Sequence, residues 1–186
     1  MKFKDVYFTE AQEIDSAKTS RPQVAALHNL LLKNGVYTIN DLVLDWGGGK
    51  YDRAKDVVEA SADGIRFLVY DPYNRSKEHN KEVLVDVKEA GGATIITLAN
   101  VLNVIRKPED RLKTLKSAKK YLAKGGKVYI SVYQAPKSDK YEETDEYVGQ
   151  MTSDGWQNAQ PLSFYLPEVK KVFPSAVKKG SMIVAE

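Results

Sequence analysis

The sequence contains no cysteine. Disulfides, thiolate nucleophiles and cysteine metal sites are excluded together, and the composition fits a reducing compartment. Histidine is scarce as well: His28 and His79 alone are too few for a multi-histidine metal centre, so no metal is expected. Long apolar runs are missing, since nothing approaches the roughly 18 consecutive residues of a membrane span. The opening stretch MKFKDVYFTEAQEIDSAKTS lacks the apolar core of a signal peptide, which predicts a cytoplasmic protein with no membrane contact. A net charge of +3 over 186 residues is too small to imply nucleic acid by itself.

What is present reads as one domain long enough to bury its own core. Residues 1–19 form a polar N-terminal segment, residues 20–186 a single domain, and residues 135–160 a polar insert within it. SRPQVAALHNLLLKNG predicts a helix capped by Ser20, with Pro22 in its first turn and Gly35 as its stop, presenting Val24, Leu27 and Leu31 on one face. DLVLDW is a short apolar run bounded by turn residues, hence a buried strand. YDRAKDVVEASADG follows as a helix with Ala54, Val57 and Val58 inward, and IRFLVYDPY as a strand ended by its proline. SKEHNKEVLVDVKEAGG alternates at Val83–Val87 like a strand, but its longer pattern favours a helix ending near Gly91. ATIITLA is a strand. Pro108 then opens a helix whose acidic start and lysine-rich end suit its dipole; Leu112, Leu115 and Leu122 line its inner face and Gly125 closes it. KVYISVY is a strand, SFYLPEVKKVF a last helix, and SAVKK with SMIVAE a closing hairpin.

Strands alternating with helices predict an α/β Rossmann-like, doubly wound, mostly parallel sheet with an antiparallel strand near the C-terminus. Only 22 residues separate Asp71 from Thr94, too few for a helix, a strand and another helix. A third strand in the usual place is therefore missing or vestigial.

Three consecutive glycines, Gly47, Gly48 and Gly49, follow the first strand in VLDWGGGKYD. Glycine loses more conformational entropy on folding than any other residue, so three together imply a close approach to the backbone. In a doubly wound sheet that turn is where ligands bind, and the following helix N-terminus favours a negative group. Asp71 ends the next strand, 26 residues after Asp45, about the offset of a carboxylate that accepts from ribose hydroxyls. Pro72 fixes the backbone beside it, and Tyr73 offers a ring to a purine. Together these point to an adenosine-type ligand. The loop is not G-x-G-x-x-G, which weakens a nicotinamide oxidoreductase, and no G-K-[ST] follows, which excludes a P-loop.

The pattern D-x-G-x-G ending one strand and an acid ending the next resembles class I S-adenosylmethionine-dependent methyltransferases. TLANVLNVIRKPEDRLKTLKSAKKYLAKGGKVYISVY resembles the later half of that fold, including its K-G-G turn. More narrowly, KTSRP (18–22), LDWGGGKYD (44–52), YDPY (70–73) and NVLNVI (100–105), with a weaker match in GWQNAQPLSFYLPEV (155–169), resemble the DNA phosphorothioation-associated methyltransferases and related small phage and bacterial enzymes. The resemblance implies a Rossmann-like fold and a bound methyl donor, S-adenosyl-L-methionine, leaving S-adenosyl-L-homocysteine as product. It does not identify the acceptor: small molecule, nucleic acid and protein all stay open.

Within that reading, Gly47, Gly48 and Gly49 admit the donor and Asp45 orders their loop. Asp71 takes the ribose hydroxyls, with Pro72 and Tyr73 flanking the adenine. Asn100 and Val101 face the methionine end, and Asn103, one turn on, lines the same pocket or caps a helix. Lys18 and Arg21 pair with the methionine carboxylate, with an anionic acceptor, or with solvent. Trp156 and Gln157, in the insert, face the substrate, or Trp156 anchors the insert on the core. No catalytic residue is identified. His28 reads as packed or superficial and His79 as solvated. There is no N-P-P-Y or D-P-P-Y tetrapeptide to hold a flipped base, and cytosine C5 chemistry lacks its cysteine. Arg106, Arg111 and the lysines at 113, 116, 119, 120, 124 and 127 read as a solvated basic face. The alternative to an enzyme is a module that binds the donor as a sensor or partner in defence or counter-defence.

Overall fold

The structure, a computed structural model, describes residues 22–134, 143–144, 147–152, 155–158 and 160–186. The predicted N-terminal segment, Ser20, Lys18, Arg21 and much of the 135–160 insert lie outside them. In chain order the elements are α1 (Ala26–Lys33), β1 (Leu42–Trp46), α2 (Arg53–Glu59), β2 (Arg66–Tyr70), α3 (Lys77–Glu89) and β3 (Ala93–Ala99). A short 3-10 turn (Leu102–Val104) precedes α4 (Pro108–Lys119) and β4 (Leu122–Ser131). Two small hairpins follow, β5 (Glu143–Thr144) with β6 (Tyr147–Val148), and β7 (Gln150–Thr152) with β8 (Gly155–Gln157). The chain closes with α5 (Leu162–Val172), β9 (Val177–Lys179) and β10 (Met182–Ala185).

The main sheet runs in the order β2-β1-β3-β4-β10-β9. β2, β1, β3 and β4 are parallel; β10 is antiparallel to β4, and β9 to β10. The doubly wound sheet with an antiparallel C-terminal strand is thus as the sequence predicts. Successive strand residues face opposite sides. Leu42, Leu44 and Trp46 of β1 join Ile96 and Leu98 of β3 in a layer packed with α3, α4 and α5, centred on Leu115, Tyr165 and Phe173. Val43 of β1, Phe67 of β2 and Ile95 of β3 face the other way, against Leu27 and Leu31 of α1 and Val58 of α2. Asp45 and Thr97 lie on this second face.

β1 carries β2 on one side and β3 on the other, so the winding reverses between β1 and β3. A crevice opens at the carboxyl ends of strands at such a reversal. The segment between β2 and β3 holds α3 alone, and among the described residues no third strand covers the outer side of β2. Side chains satisfy that edge instead. Phe67 N–H donates to Glu59 Oε1 at 2.8 Å, and His79 Nε2–H donates to Val69 O at 2.8 Å. Asp71 N–H donates to Asn80 Oδ1, while Asn80 Nδ2 donates back to Asp71 O, both at 2.9 Å. His79 is therefore engaged rather than solvated.

Three further expectations need correction. α1 begins at Ala26 without a side-chain cap, so Pro22 precedes the helix instead of opening it. α4 ends at Lys119, and Gly125 lies inside β4, in the left-handed region at φ +76° beside a register shift against β3. Leu122 accordingly starts a strand, since pairing with Ala93 outweighs continued helix there. Arg111 is no part of a basic face: it is 2% exposed, its guanidinium grips both Glu168 oxygens at 2.7 Å, and Nη1 reaches the carbonyls of Ile105 and Arg106 at 2.9 Å. That pair ties α4 to α5. A planar guanidinium with five donors suits such burial better than an ammonium does.

Candidate functional site: two corners of the carboxyl rim

The glycine loop forms one corner. β1 stops at Trp46, and Gly47 N–H extends the ladder by donating to Tyr70 O at 2.7 Å. Gly47 and Gly49 sit at φ +81° and +79°, left-handed conformations open to glycine at little cost. A Cβ on Gly47 would lie 2.7 Å from Cγ2 of Val101, at the end of β3. A Cβ on Gly48 would strike Asp45 Oδ2 and lie 2.9 Å from Val69 Cγ1. At these two positions the close approach is made by the protein's own side chains.

Asp45 lies beneath the loop, 3% exposed. Its Oδ1 accepts from Thr97 Oγ1 at 2.7 Å, and its Oδ2 is 3.3 Å from His28 Nε2. His28, on α1, is buried; its Nδ1 is 2.8 Å from the Tyr37 hydroxyl and its ring meets Phe67 edge-on. It is packed, not superficial. Burial, then the charge of Asp45, raises the Tyr37 phenol well above the usual tyrosine range. Asp45 thus supports the loop from below, on a polar column linking α1, β1 and β3.

Asp71 holds the loop from the side. Its Oδ2 accepts from Gly49 N–H at 2.8 Å and Asn74 Nδ2 at 3.1 Å; its Oδ1 accepts from the N–H groups of Tyr73 and Asn74, both at 2.9 Å. A carboxylate offers about four acceptor positions, and all four are used. Arg75 completes the grip: Nε donates to Gly49 O and Nη2 to Asp52 Oδ1, each at 2.8 Å. The turn after β2 therefore holds both polar groups of the Gly49 peptide. Pro72 is half-buried, and Tyr73 is 39% exposed beside Asp110 at the start of α4. Burial, then Asp110 and Asp71, pushes its phenol up to about 12, so it stays a neutral ring at neutral pH.

The second corner lies past the end of β3. Asn100 is exposed and left-handed at φ +59°, with its N–H bonded to Ser131 O at 2.9 Å. Val101 is buried against Gly47, which joins the two corners. Asn103 is 1% exposed and on the 3-10 turn; its Nδ2 donates to Gln157 Oε1 at 3.0 Å, and its backbone carbonyl accepts from Asn158 N–H at 2.7 Å. Trp156 is buried over Gly149, with the Arg106 guanidinium 5.0 Å from its ring. Among the described residues, the buried side-chain atoms here without a hydrogen-bond partner include Asn103 Oδ1, Trp156 Nε1 and Asn158 Oδ1. Each such group costs about 1–3 kcal/mol if left unmatched.

The structure thus brings Asp45, Gly47, Gly48, Gly49, Asp71 and Val101 together around one loop, and Asn103, Trp156 and Gln157 around another. Sequence reasoning missed Arg75, Thr97 and Asn158. Arg75 carried one signal, its position four residues after Asp71 in a turn; the others carried none. Among the described residues, no group of three or more metal-ligating side chains occurs and no helix is long and apolar enough to cross a membrane.

No family model matches the sequence, and no curated protein matches it. The narrower resemblance to phosphorothioation-associated enzymes therefore rests on the quoted residues alone. Solved structures do match. The sugar N-methyltransferase KedS8 from Streptoalloteichus superposes with a TM-score of 0.55 at 10% identity, covering 100% of this chain and 97% of its own. PigF with S-adenosylhomocysteine gives 0.56 at 15% identity, covering 92% and 63%. CalO1, a methyltransferase of calicheamicin biosynthesis, gives 0.53 at 17% identity, covering 86% and 52%, so the chain spans about half the length of that protein. These likenesses establish one thing: the chain has the Rossmann-like fold of S-adenosylmethionine-dependent methyltransferases.

Proposed function

We propose that the protein is a methyltransferase that binds S-adenosylmethionine at the glycine corner and transfers its methyl group to an acceptor. The observation that carries this reading is the position of Gly47–Gly49 at the reversal between β1 and β3, clasped by the turn that begins at Asp71. The donor supplies a methyl group already activated on sulfonium; the acceptor's lone pair forms the new bond to carbon, the C–S pair stays on sulfur, and the acceptor proton passes to solvent.

The residues present fit that donor. Of the four donors on Asp71, Asn74 Nδ2 makes the longest bond and sits on a rotatable side chain. Its rotation frees one position on Oδ2 for a ribose hydroxyl while the three backbone N–H groups keep the carboxylate aimed. Tyr73, neutral and half out of the protein, with Pro72 beside it, suits an adenine ring. The backbone at Asn100 and Val101 suits the methionine ammonium, with Asn103 further along the same wall. Lys18 and Arg21 are the candidates for the methionine carboxylate or an anionic acceptor. The work of the protein is then to hold two reactants in line. The finer reading, a small phage or bacterial enzyme of the cytoplasm akin to the phosphorothioation-associated group, rests on LDWGGGKYD, YDPY and NVLNVI.

A second reading, a module that binds the donor without turnover, is motivated by the lack of a strand beyond β2 among the described residues and by the lack of an identified base in the sequence. Calorimetric titration with S-adenosylmethionine, S-adenosylhomocysteine and NAD tests the donor. Binding of both sulfur compounds and not NAD is expected; NAD alone would sink the proposal. Methyl transfer from labelled donor to an extract of small molecules, nucleic acids and proteins separates enzyme from module.

A further inference from the structure

Asp45 and Asp71 both touch the glycine loop, yet the fold treats them differently. Asp71 accepts four hydrogen bonds. Among the described residues the Asp45 carboxylate accepts one, from Thr97 to Oδ1. Its Oδ2 accepts none: His28 Nε2 stands 3.3 Å away without a hydrogen bond. The Asp45 side chain is only 4% exposed, and this oxygen lies against Gly48, where a Cβ would strike it. One donor and little water leave the carboxylate with scant local compensation. In a poorly polarisable interior such a group acts over several ångströms rather than being screened at once.

The place of that oxygen along the loop says what it would meet. Gly49, at one end, bonds to Asp71; Gly47, at the other, meets Val101; Gly48 lies between them, over Asp45. In the donor reading, on which this inference rests, Asp71 takes the ribose and the backbone at Asn100 and Val101 takes the methionine ammonium. The atom joining ribose to the methionine chain is the sulfur, so it falls at the middle glycine, where no side chain intervenes. We infer that Asp45 is the counter-charge of the donor's sulfonium, and that it makes the site prefer the cationic donor over the product. On transfer the methyl group leaves without the C–S electron pair, which stays on sulfur and cancels its charge, so the attraction ends and the product is released more readily. The sulfur is already losing charge in the transition state, so the same attraction holds the bound donor more than it speeds the transfer. Asp45 is thus a specificity residue for the donor.

Calorimetry on the full chain tests it with three ligands: S-adenosylmethionine, S-adenosylhomocysteine and sinefungin, which carries an amine where the donor has its methyl sulfonium. The wild type is expected to bind the two cationic ligands at least about threefold more tightly than S-adenosylhomocysteine. Asp45→Asn keeps the shape and the Thr97 contact while removing the charge. It is expected to weaken the cationic ligands at least about fivefold more than S-adenosylhomocysteine. Thr97→Val keeps the charge and removes its hydrogen bond, so it is expected to shift all three ligands by a common factor. The counter-charge is overturned if S-adenosylhomocysteine is the tightest wild-type ligand, if Asp45→Asn weakens all three alike, or if Thr97→Val alters their ratio as much as Asp45→Asn does. The wild-type ranking needs no variant, so it decides the matter even if Asp45→Asn does not fold. Binding of none of the three by the wild type overturns the donor reading itself, whereas the other failures leave that reading standing.

Discussion

The two corners of the carboxyl rim are built on opposite plans. At the glycine corner the carboxylates and the loop peptide are answered from within: Asp45 by Thr97 beneath the loop, Asp71 by four donors, and both sides of the Gly49 peptide by the turn after β2. At the corner past β3 the backbone is equally well held, yet among the described residues Asn103, Trp156 and Asn158 each keep a buried polar atom unanswered. A ligand at the first corner has to exchange places with a protein donor. The contrast separates a corner whose loop peptide and Asp71 carboxylate are saturated by the fold from one in which the fold leaves buried polar atoms unmatched.

The comparison is most easily broken at Asp71. Asp71→Ala removes four hydrogen bonds to a charged acceptor and leaves the Gly49 N–H without its partner. Urea denaturation should register a loss of about 3 kcal/mol or more, and calorimetry at least a tenfold loss of S-adenosylhomocysteine affinity. Stability equal to wild type would mean that the carboxylate does not hold the loop. Gly48→Ala should follow, at about 2 kcal/mol, because the new methyl must displace Asp45 or Val69. Asn74→Ala sharpens the contrast: stability should change by under about 1 kcal/mol while donor affinity stays level or rises, as one position on Asp71 is cleared. A tenfold fall in affinity would instead make Asn74 a ligand contact. The smallest expected effect is alkaline. The Tyr73 phenol is raised in the folded state by burial, Asp110 and Asp71, and the Tyr37 phenol by burial and Asp45. Above about pH 10 the unfolded chain loses these protons first, so stability present at lower pH should decline as pH rises toward 12. Tyr73→Phe should flatten part of that decline in pH-dependent denaturation curves.

Much of the layout was legible because it is local. Strand and helix periods, the proline after β2 and the short interval from Asp71 to Thr94 predict the winding and its missing strand. The glycine loop was legible as a place, but its reason was not. Val101 above Gly47 is 54 positions away in the chain, and Thr97 beside Asp45 is 52, distances over which no spacing rule operates. Arg111 looked like one more cation in a basic run because helical pattern alone does not reveal that α5 brings Glu168 to it. Gly125 looked like a helix stop because a bulged strand and a helix end ask for the same left-handed backbone. The patch at Asn103 and Asn158 was illegible for a different reason: an unmatched atom is a property of the fold, not of any residue type.

The outer margin of β2 carries one more lesson. Glu59, His79 and Asn80 reach the main-chain groups that a neighbouring ribbon would otherwise occupy. Such a border gives a foreign segment little to zip onto, so the molecule guards against fibre-like growth on that flank. Among the described residues, a fringe of three polar side chains stands where a further strand would pair.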